Sequence, residues 1–241
     1  MATPDGGCTP ERALDRLGRI RLTDHSMRSL LGEVADTLTG SLPGRPQASV
    51  TLLTGDRPST AVFTGEPALA LDEAQYDAGD GPCLRAAREG VVVEVADART
   101  DGRWPDYLPA AVEHGYLSSL SLPLPLHEGV SGGVNVYARE AAAFDEASRD
   151  FALRFTTYAA VVAGNMLVYE SALDRARNLE AAIASRAVID QAKGILMERF
   201  KLTPDQAFQA LTRVSMDTNT KVRDVAARFV ETGDLGGGRP R

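Results

Sequence analysis

The sequence predicts an α+β domain, an antiparallel sheet with flanking helices, joined by a long helix to an all-α module of three helices. Short apolar runs separated by turn residues continue as far as Tyr137, which is the pattern of strands joined by tight turns. No proline occurs between Pro125 and Pro204, which leaves room for one long helix. Three amphipathic stripes then follow from Ile183 to the end of the chain, and they predict a small helical bundle.

Composition favours a folded, soluble protein of the cytoplasm. Hydrophobic residues make up 44% of the 241 residues, yet there is no run of eighteen apolar residues, and the charged start is unlike a signal peptide. The two cysteines, Cys8 and Cys83, form no Cys-x-x-Cys pair, which argues against a disulfide framework or a zinc cluster. The net charge of −7 divides into a strongly acidic body and a mildly basic segment from Glu180 onward. This asymmetry permits nucleic-acid binding at the C-terminal end but does not require it.

The elements of the first domain follow from local patterns. Residues 1–22 are polar, and we expect them to be disordered or frayed. An apolar stripe predicts a helix that begins at Met27 and ends at Gly40. The runs Ser49–Thr54 and Thr60–Thr64 flank a Gly-Asp-Arg-Pro turn and predict a hairpin. Further strands are predicted at Val91–Val95, Leu117–Leu126 and Gly132–Tyr137, and the prolines of the second of these suit a sheet edge or a strand end. Short helices are predicted at Pro82–Arg88 and Pro105–His114. Helices should cover one or both faces of this sheet.

A long helical pattern runs from Asp145 to about Phe200. Apolar or small residues on it follow 4-3 spacing and predict a parallel two-helix seam with a second copy of the chain: Val162, Met166, Tyr169, Leu173, Ala176, Ile183 and Ala187. The alternative is a helix that breaks near Asn178, with each half packed on its own domain.

The last three helices leave polar faces free. The second helix opens with a capping box, Thr203 to Gln206, and the third is capped by Asn219 or Thr220. A solvent-facing stripe is predicted at Arg186, Asp190, Lys193 and Met197, beside a strip with little side-chain bulk at Ala187, Gln191 and Gly194. Nucleic-acid binding, protein docking and a solvated face all remain open from these residues alone.

The stretch from Ser185 to Val230 closely resembles the ANTAR family of RNA-binding antiterminators. The matching motifs are R-x-x-I-x-x-A-K-G-x-L-M, A-F-x-x-L and S-x-x-x-N-x-K-x-x-D-V-A. The resemblance implies binding to RNA with two small stem-loops, which stabilises them against a terminator. It implies RNA contacts from Arg186, Gln191, Lys193, Gly194, Arg213, Asn219 and Lys221, and core positions for Ala192, Leu196, Ala207, Phe208, Leu211 and Val225. We expect no exposed aromatic platform for bases in this module.

The region from Thr23 to Asn165 resembles GAF domains that precede ANTAR modules in actinobacterial proteins. The landmarks are G-D-G-P-C, D-x-R-W-P, S-S-L-S-L-P-L, G-G-V-N-V-Y and A-F-D. The resemblance implies a small-molecule pocket lined by Cys83, Trp104, Tyr107, His114, Ser119, Ser121 and Asn135, and it leaves the ligand and any cofactor unknown. The expected domains are a disordered or frayed start (1–22), a GAF-like domain (23–165), a connecting helix and candidate dimer coiled coil (145–184), an ANTAR module (185–233) and a disordered tail (234–241).

The leading hypothesis is therefore a signal-responsive, homodimeric RNA-binding regulator that is not an enzyme. Cys83 is expected to be a buried packing residue, and the scattered histidines show no metal spacing. A methionine sulfoxide reductase would need more than one cysteine in the domain. The alternatives are a DNA-binding regulator, since three short helices can resemble a helix-turn-helix, a protein-interaction adaptor, and a redox enzyme that uses Cys83.

Overall fold

A five-stranded antiparallel sheet is the centre of the N-terminal part of the chain. The computed structural model describes residues 9–126 and 129–235, and these form two compact units that divide after Glu170. The strand order is β2-β1-β5-β4-β3. The strands are β1 (Gln47–Thr54), β2 (Arg57–Phe63), β3 (Val93–Val95), β4 (Ser118–Pro125) and β5 (Val130–Ala138). The antiparallel α+β architecture predicted from the sequence is confirmed.

Local sequence explains the hairpin and the open edge of the sheet. β1 and β2 pair antiparallel across a tight turn, with Gly55 at a positive φ of 59° in that turn. β3 pairs only with Ser119–Ser121 of β4, so among the described residues the second half of β4 is an edge. Pro123 and Pro125 lie in that half, where a missing backbone N–H costs no ladder hydrogen bond.

Helices cover both faces of the sheet. One face packs against α1 (Pro10–Gly18), α2 (Met27–Ser41) and the first part of α6 (Glu146–Phe200), and the other against α3 (Glu66–Ala78), α4 (Pro82–Glu89) and α5 (Leu108–Glu113). The centre of the face toward α1, α2 and α6 is apolar: Val50, Leu122 and Val136 from the strands share one buried cluster with Leu30 of α2 and Phe155 of α6. This layer is the main hydrophobic core of the first unit.

Two helices of the first unit differ from the prediction. Residues 10–18 form α1 rather than a frayed segment, since Pro10 opens the helix, Thr9 caps it, and Ala13 and Leu17 are buried in the core. The remaining residues of the predicted frayed start, 1–8, lie outside the described residues. The helix α3 was not predicted, because two of its four buried residues, Asp72 and Gln75, are polar and weaken the apolar stripe.

The N-terminal part of the predicted dimer seam is occupied by packing within the first unit. Met166 is fully buried within the first unit, and Val162 and Tyr169 pack against the same cluster, so these three residues face their own domain. The helix does not break near Asn178 but continues to Phe200. Among the described residues, α6 contains one stretch that is long and apolar enough to cross a membrane. Half of that stretch is buried inside the protein, as expected of a core helix.

The second unit is a three-helix bundle. The end of α6, α7 (Pro204–Thr218) and α8 (Val222–Thr232) enclose a small core of Ala192, Leu196, Ala207, Leu211, Val225, Ala226 and Phe229. Thr203 and Gln206 form the predicted capping box at the start of α7. The cap predicted for α8 is wrong: Asn219 ends α7 in the left-handed conformation, at φ 49° and ψ 39°, and Lys221 is the N-cap of α8.

Two side chains of this bundle are placed differently from the prediction. Phe208, expected in the core, is 45% exposed, because the neighbouring Ala207 takes the buried position against the other helices. The expectation that no aromatic side chain is exposed in this module is therefore wrong. Met197, expected to face solvent, packs against the bundle core. Residues 234 and 235 follow α8 without helix or strand, and the rest of the predicted tail lies outside the described residues.

Candidate functional site

The face of the sheet toward α3 and α4 carries a buried polar cluster. On β1 the polar residues Ser49 and Thr51 alternate with the apolar Ala48 and Val50, so the polar pair points to the α3 side. β4 contributes Ser119 and Ser121 to the same face, and β5 contributes Asn135 and Tyr137. All of these side chains are buried. Because a buried polar group without a good partner destabilises a fold, this concentration needs an explanation.

Asp72 on α3 is the centre of the polar cluster and is fully buried. Its Oδ1 accepts hydrogen bonds from the hydroxyl of Tyr137 at 2.6 Å, the hydroxyl of Ser49 at 2.9 Å and the amide of Asn135 at 3.3 Å. Its Oδ2 accepts from the hydroxyl of Thr60 at 2.8 Å and, more weakly, from Thr51 at 3.5 Å. Strands β1, β2 and β5 are thus all linked to α3 through one carboxyl group.

Burial dominates the electrostatics of the polar cluster. Loss of hydration raises the pKa of Asp72 above its ordinary value of 3.8, although the hydrogen bonds from Tyr137, Ser49, Thr60 and Asn135 oppose this rise. Burial also raises the pKa of Tyr137 and of Cys83, and the nearby Asp72 carboxylate raises both further. The phenol and the thiol therefore stay protonated at neutral pH, and Cys83 lacks the thiolate that a nucleophile or a redox centre needs.

Gln75 connects the polar cluster to the start of α4. Its Oε1 accepts a hydrogen bond from the backbone N–H of Cys83 at 2.8 Å, and its Nε2 donates one to the hydroxyl of Tyr137 at 3.1 Å. A Cβ on Gly81 would lie 2.5 Å from the Gln75 side chain, so only glycine allows α4 to begin this close to α3. The first turn of α4 and the Asp72 carboxyl are consequently joined through two side chains.

Two acceptors of the polar cluster lack hydrogen bonds. Asn135 Oδ1 and Ser121 Oγ are buried and have no partner among the described residues. Ser121 and Asn135 are directly opposite one another on neighbouring strands, so the two atoms belong to one part of the sheet. A cavity of only about 10 Å³, room for roughly one water molecule, is lined by Tyr107, Ser119 and Tyr137 among others. The cluster is closed in this structure but has unused hydrogen-bonding capacity.

The structure brings most of the predicted pocket residues together. Ser119, Ser121 and Asn135 lie on the polar face of the sheet, and Tyr107 lines the same small space as Ser119. Cys83 is at the start of α4, beside Gln75. Trp104 is buried in the apolar cluster with Tyr107, with the Arg103 guanidinium 4.5 Å from its ring. His114 does not belong to the cluster: it is exposed at the end of α5.

Sequence reasoning missed the acidic centre of this site. Asp72, Gln75 and Tyr76 all lie on α3, which was not predicted, and Tyr76 contacts the hydroxyls of Thr51 and Thr60 at 2.9 Å each. A usable signal was present, since Pro67 near the start and Gly79 at the end frame a helix of this length. Among the described residues no group of three or more His, Cys, Asp or Glu side chains could hold a metal ion.

A second candidate site lies on the last turns of α6. Lys193 Nζ is 3.1 Å from Asp190 Oδ1, and Arg186 Nε is 3.7 Å from Asp190 Oδ2. The two cations therefore share one carboxylate on an exposed face of the helix. Exposed ion pairs of this kind contribute little to stability, so either cation can exchange Asp190 for another anion at small cost.

The strip beside this pair is open. Gln191 and Gly194 are exposed, and no atom lies within 4 Å of where a Cβ on Gly194 would be. Packing inside the unit therefore does not require glycine at this position, although glycine weakens a helix by roughly 1 kcal/mol relative to alanine.

The remaining predicted RNA contacts lie at the α7–α8 side of the bundle. Arg213, Asn219 and Lys221 are exposed, and their side chains have no hydrogen-bond or ion-pair partner among the described residues. Asn219 and Lys221 are two residues apart in the turn before α8, whose first backbone N–H groups are not capped by a side chain. No described hydrogen bond or ion pair joins this group to Arg186 or Lys193.

Comparison with known proteins follows the same division into two parts. The family model described as GAF domain matches residues 24–162, and the one described as ANTAR domain matches residues 177–230. No curated protein sequence matches the chain. Among solved structures, the GAF domain of a phosphoenolpyruvate-protein phosphotransferase from Coxiella burnetii is 15% identical over 69% of this chain and 99% of that one, with a TM-score of 0.52. The reduced fRMsr of Staphylococcus aureus, a methionine sulfoxide reductase, is 17% identical over 68% and 99%, with a TM-score of 0.51. At these identities the two structures support the fold alone.

Proposed function

The chain belongs to the GAF family and carries a C-terminal ANTAR domain, and from this premise we propose that it is a signal-responsive transcription antitermination regulator that binds paired stem-loops in nascent RNA. One observation carries the proposal. The polar residues of the ANTAR motifs face outward, and the apolar residues of the same motifs, apart from Phe208, pack inside. The core is formed by Ala192, Leu196, Ala207, Leu211 and Val225. Lys193 is half-buried, and the exposed residues are Arg186, Gln191, Gly194, Arg213, Asn219 and Lys221.

These exposed groups have the chemistry that RNA loops require. Bases in a loop are unstacked, so an amide such as Asn219 can pair with their edges. Lys193 and Lys221 offer ammonium groups to phosphates, and the uncapped N-terminus of α8 adds backbone donors. Phosphates would replace Asp190 as the partner of Lys193 and Arg186, so binding should weaken as salt rises.

We propose that the signal acts on the polar cluster of the GAF domain. The candidate ligand contacts are Cys83, Trp104, Tyr107, Ser119, Ser121 and Asn135, and Asp72 is added to them from its position at the centre of the cluster. The unpaired acceptors on Ser121 and Asn135 support this role, since a ligand with N–H or O–H groups would complete their hydrogen bonds. The buried, protonated Cys83 favours a binding role over catalysis, and we propose a protein of the cytoplasm that is not an enzyme.

We further propose that the regulator acts as a homodimer. An RNA with two hairpins offers two equivalent sites, and two linked modules bind such an RNA far more tightly than one.

RNA binding is tested by selection from an RNA pool in which two short hairpins carry randomised loops, followed by gel shifts with the full chain. We expect a selected two-hairpin RNA to bind at a concentration at which duplex DNA of the same length does not. Binding to the duplex instead would favour a DNA-binding regulator, and binding to neither would contradict the proposal.

Two lysines, one near the end of α6 and one just after it, provide a pair of variants. Lys193 and Lys201 each contact an acidic residue three positions earlier, at 3.1 and 2.7 Å, but only Lys193 belongs to the candidate interface. Lys193→Ala should weaken binding to the selected RNA about tenfold, while Lys201→Ala should leave it within about twofold of wild type. Equal effects of the two substitutions would refute the assigned interface.

A further inference from the structure

A cavity of about 130 Å³ lies at the end of the sheet where β1 begins and β5 ends. Two arginines line it: Arg45, from the segment before β1, and Arg139, the residue after β5. Gln47 and Tyr137 are paired at the end of the β1–β5 ladder, and each arginine lies two residues beyond that pair. The two neighbouring strands therefore bring both cations to one cavity.

Neither arginine has an anionic partner in the part of the chain that the structure describes. Glu140 also lines the cavity, but no carboxylate oxygen of the described residues lies within 4 Å of either guanidinium. Like charges on neighbouring strands destabilise a sheet when nothing of opposite charge lies between them. An anion in the cavity would replace this repulsion by two charge-assisted hydrogen-bonding contacts.

The fold holds Arg139 in place without using its hydrogen-bond donors. The guanidinium carbon lies over the Tyr116 ring, 5.0 Å from its centre, and a guanidinium in such a position keeps its N–H groups free for another partner. A Cβ at position 115 would lie 3.2 Å from Arg139 Nη1, so Gly115 makes room for this placement. Arg139 is consequently positioned in advance for an anion, which lowers the entropy lost on binding.

Arg45 has an uncommon backbone conformation. Its φ is 49°, in the left-handed region that glycine adopts freely and that a residue with a long side chain rarely adopts. Its side chain makes no hydrogen bond or ion pair with the described residues, so no contact inside the protein explains an arginine here. Residues held in such conformations are concentrated at binding sites, where the ligand contact offsets the strain.

We propose that this cavity binds the phosphate group of a small molecule between Arg45 and Arg139. The two cations come from different strands, and a tetrahedral phosphate offers oxygens in several directions, whereas a planar carboxylate is matched by one guanidinium. A second cavity of about 240 Å³, also lined by Arg45 and Gln47, gives room for the rest of the molecule. The site shares only Tyr137 with the polar cluster, and it does not depend on RNA binding.

The first test is calorimetric titration of the full chain with inorganic phosphate. Wild type should bind it with a dissociation constant of about 1 mM or lower. Arg139→Gln and Arg45→Gly should each weaken binding at least about tenfold, and the second substitution keeps the backbone conformation because glycine favours it. Arg57→Gln is the matched control, since Arg57 is exposed at the hairpin end of β2, the far end of β1 from the cavity.

The control variant should bind phosphate within about twofold of wild type. Succinate carries the same charge on two planar carboxylates and should bind wild type at least about tenfold more weakly than phosphate does. A wild type that binds no phosphate, equal losses in Arg57→Gln and Arg139→Gln, or equal affinity for succinate would each overturn the proposal.

The second test shows which unit holds the phosphate. Thermal unfolding followed by the emission of Trp104, the single tryptophan, reports the first unit and not the C-terminal bundle. Phosphate should raise the unfolding temperature of wild type and Arg57→Gln, because a ligand stabilises the state that binds it, and should not raise that of Arg139→Gln or Arg45→Gly. An equal rise in all four proteins, or a rise in none, would place any bound phosphate elsewhere and overturn the proposal.

Discussion

Replacement of Asp72 by asparagine should change how the stability of the first unit depends on pH. Burial raises the pKa of Asp72 above 3.8 in the folded protein, so the folded state holds this proton more tightly than the unfolded state does. The stability from this proton is complete below the ordinary pKa and is lost as pH rises through the folded-state pKa. Between those two values, the free energy of unfolding of wild type should fall by about 1.4 kcal/mol per pH unit from this group alone.

Asp72→Asn has no such titration and keeps nearly the same shape. The free energy of unfolding of Asp72→Asn minus that of wild type should therefore rise with pH above 4 and level off once Asp72 is ionised in the folded protein. Urea unfolding between pH 4 and pH 8 measures this difference, and the emission of Trp104 reports it, since Trp104 is the single tryptophan and is buried in the first unit.

Asp56→Asn is the control, because Asp56 is exposed in the turn between β1 and β2. The Asp72→Asn difference should rise more steeply with pH than the Asp56→Asn difference does across the same range. If the Asp72→Asn difference is constant, or falls as pH rises, then burial does not dominate the energetics of the polar cluster.

Three further predictions concern separate parts of the molecule. Asp190→Asn should raise the affinity for a selected two-hairpin RNA about two- to fivefold at low salt, because it removes the carboxylate that Lys193 and Arg186 share. Glu198→Gln, which removes the carboxylate that pairs with Lys201, should leave the affinity unchanged, and filter binding measures both variants. Gly132→Ala should destabilise the first unit by about 1–3 kcal/mol in urea unfolding, because its Cβ would lie 2.6 Å from a backbone oxygen of β1. In a Cys8→Ser background, Cys83 should react with a thiol reagent at least about 100-fold more slowly in native protein than in urea, since it is buried and protonated, and rapid native labelling would reopen a redox role.

The sequence was sufficient to predict the elements whose buried positions are apolar. The hairpin of β1 and β2, the helix α2 and the capping box of α7 each carry a local signal that needs no distant partner. The candidate RNA contacts were identified from the family resemblance, and exposure of the motif residues is consistent with that assignment.

The polar cluster could not be predicted in the same way. Ser49 and Thr51 alternate with apolar residues as they would in a strand with one face in water, and only the packing of α3 onto that face buries them. Asp72 and Gln75 interrupt the apolar stripe of α3 because their partners are on the sheet. The predicted core position of Phe208 was wrong for the opposite reason, because an apolar side chain can be left at the surface when a smaller neighbour allows closer helix packing.

Binding of RNA by the exposed cations of the C-terminal module is tested most directly by the salt dependence of that binding. A logarithmic plot of affinity for a selected two-hairpin RNA against salt concentration should be a falling line. It should become less steep by roughly 0.7–0.9 for each phosphate contact that Lys193→Ala or Lys221→Ala removes. Affinity that is independent of salt, or slopes that neither substitution changes, would contradict the account.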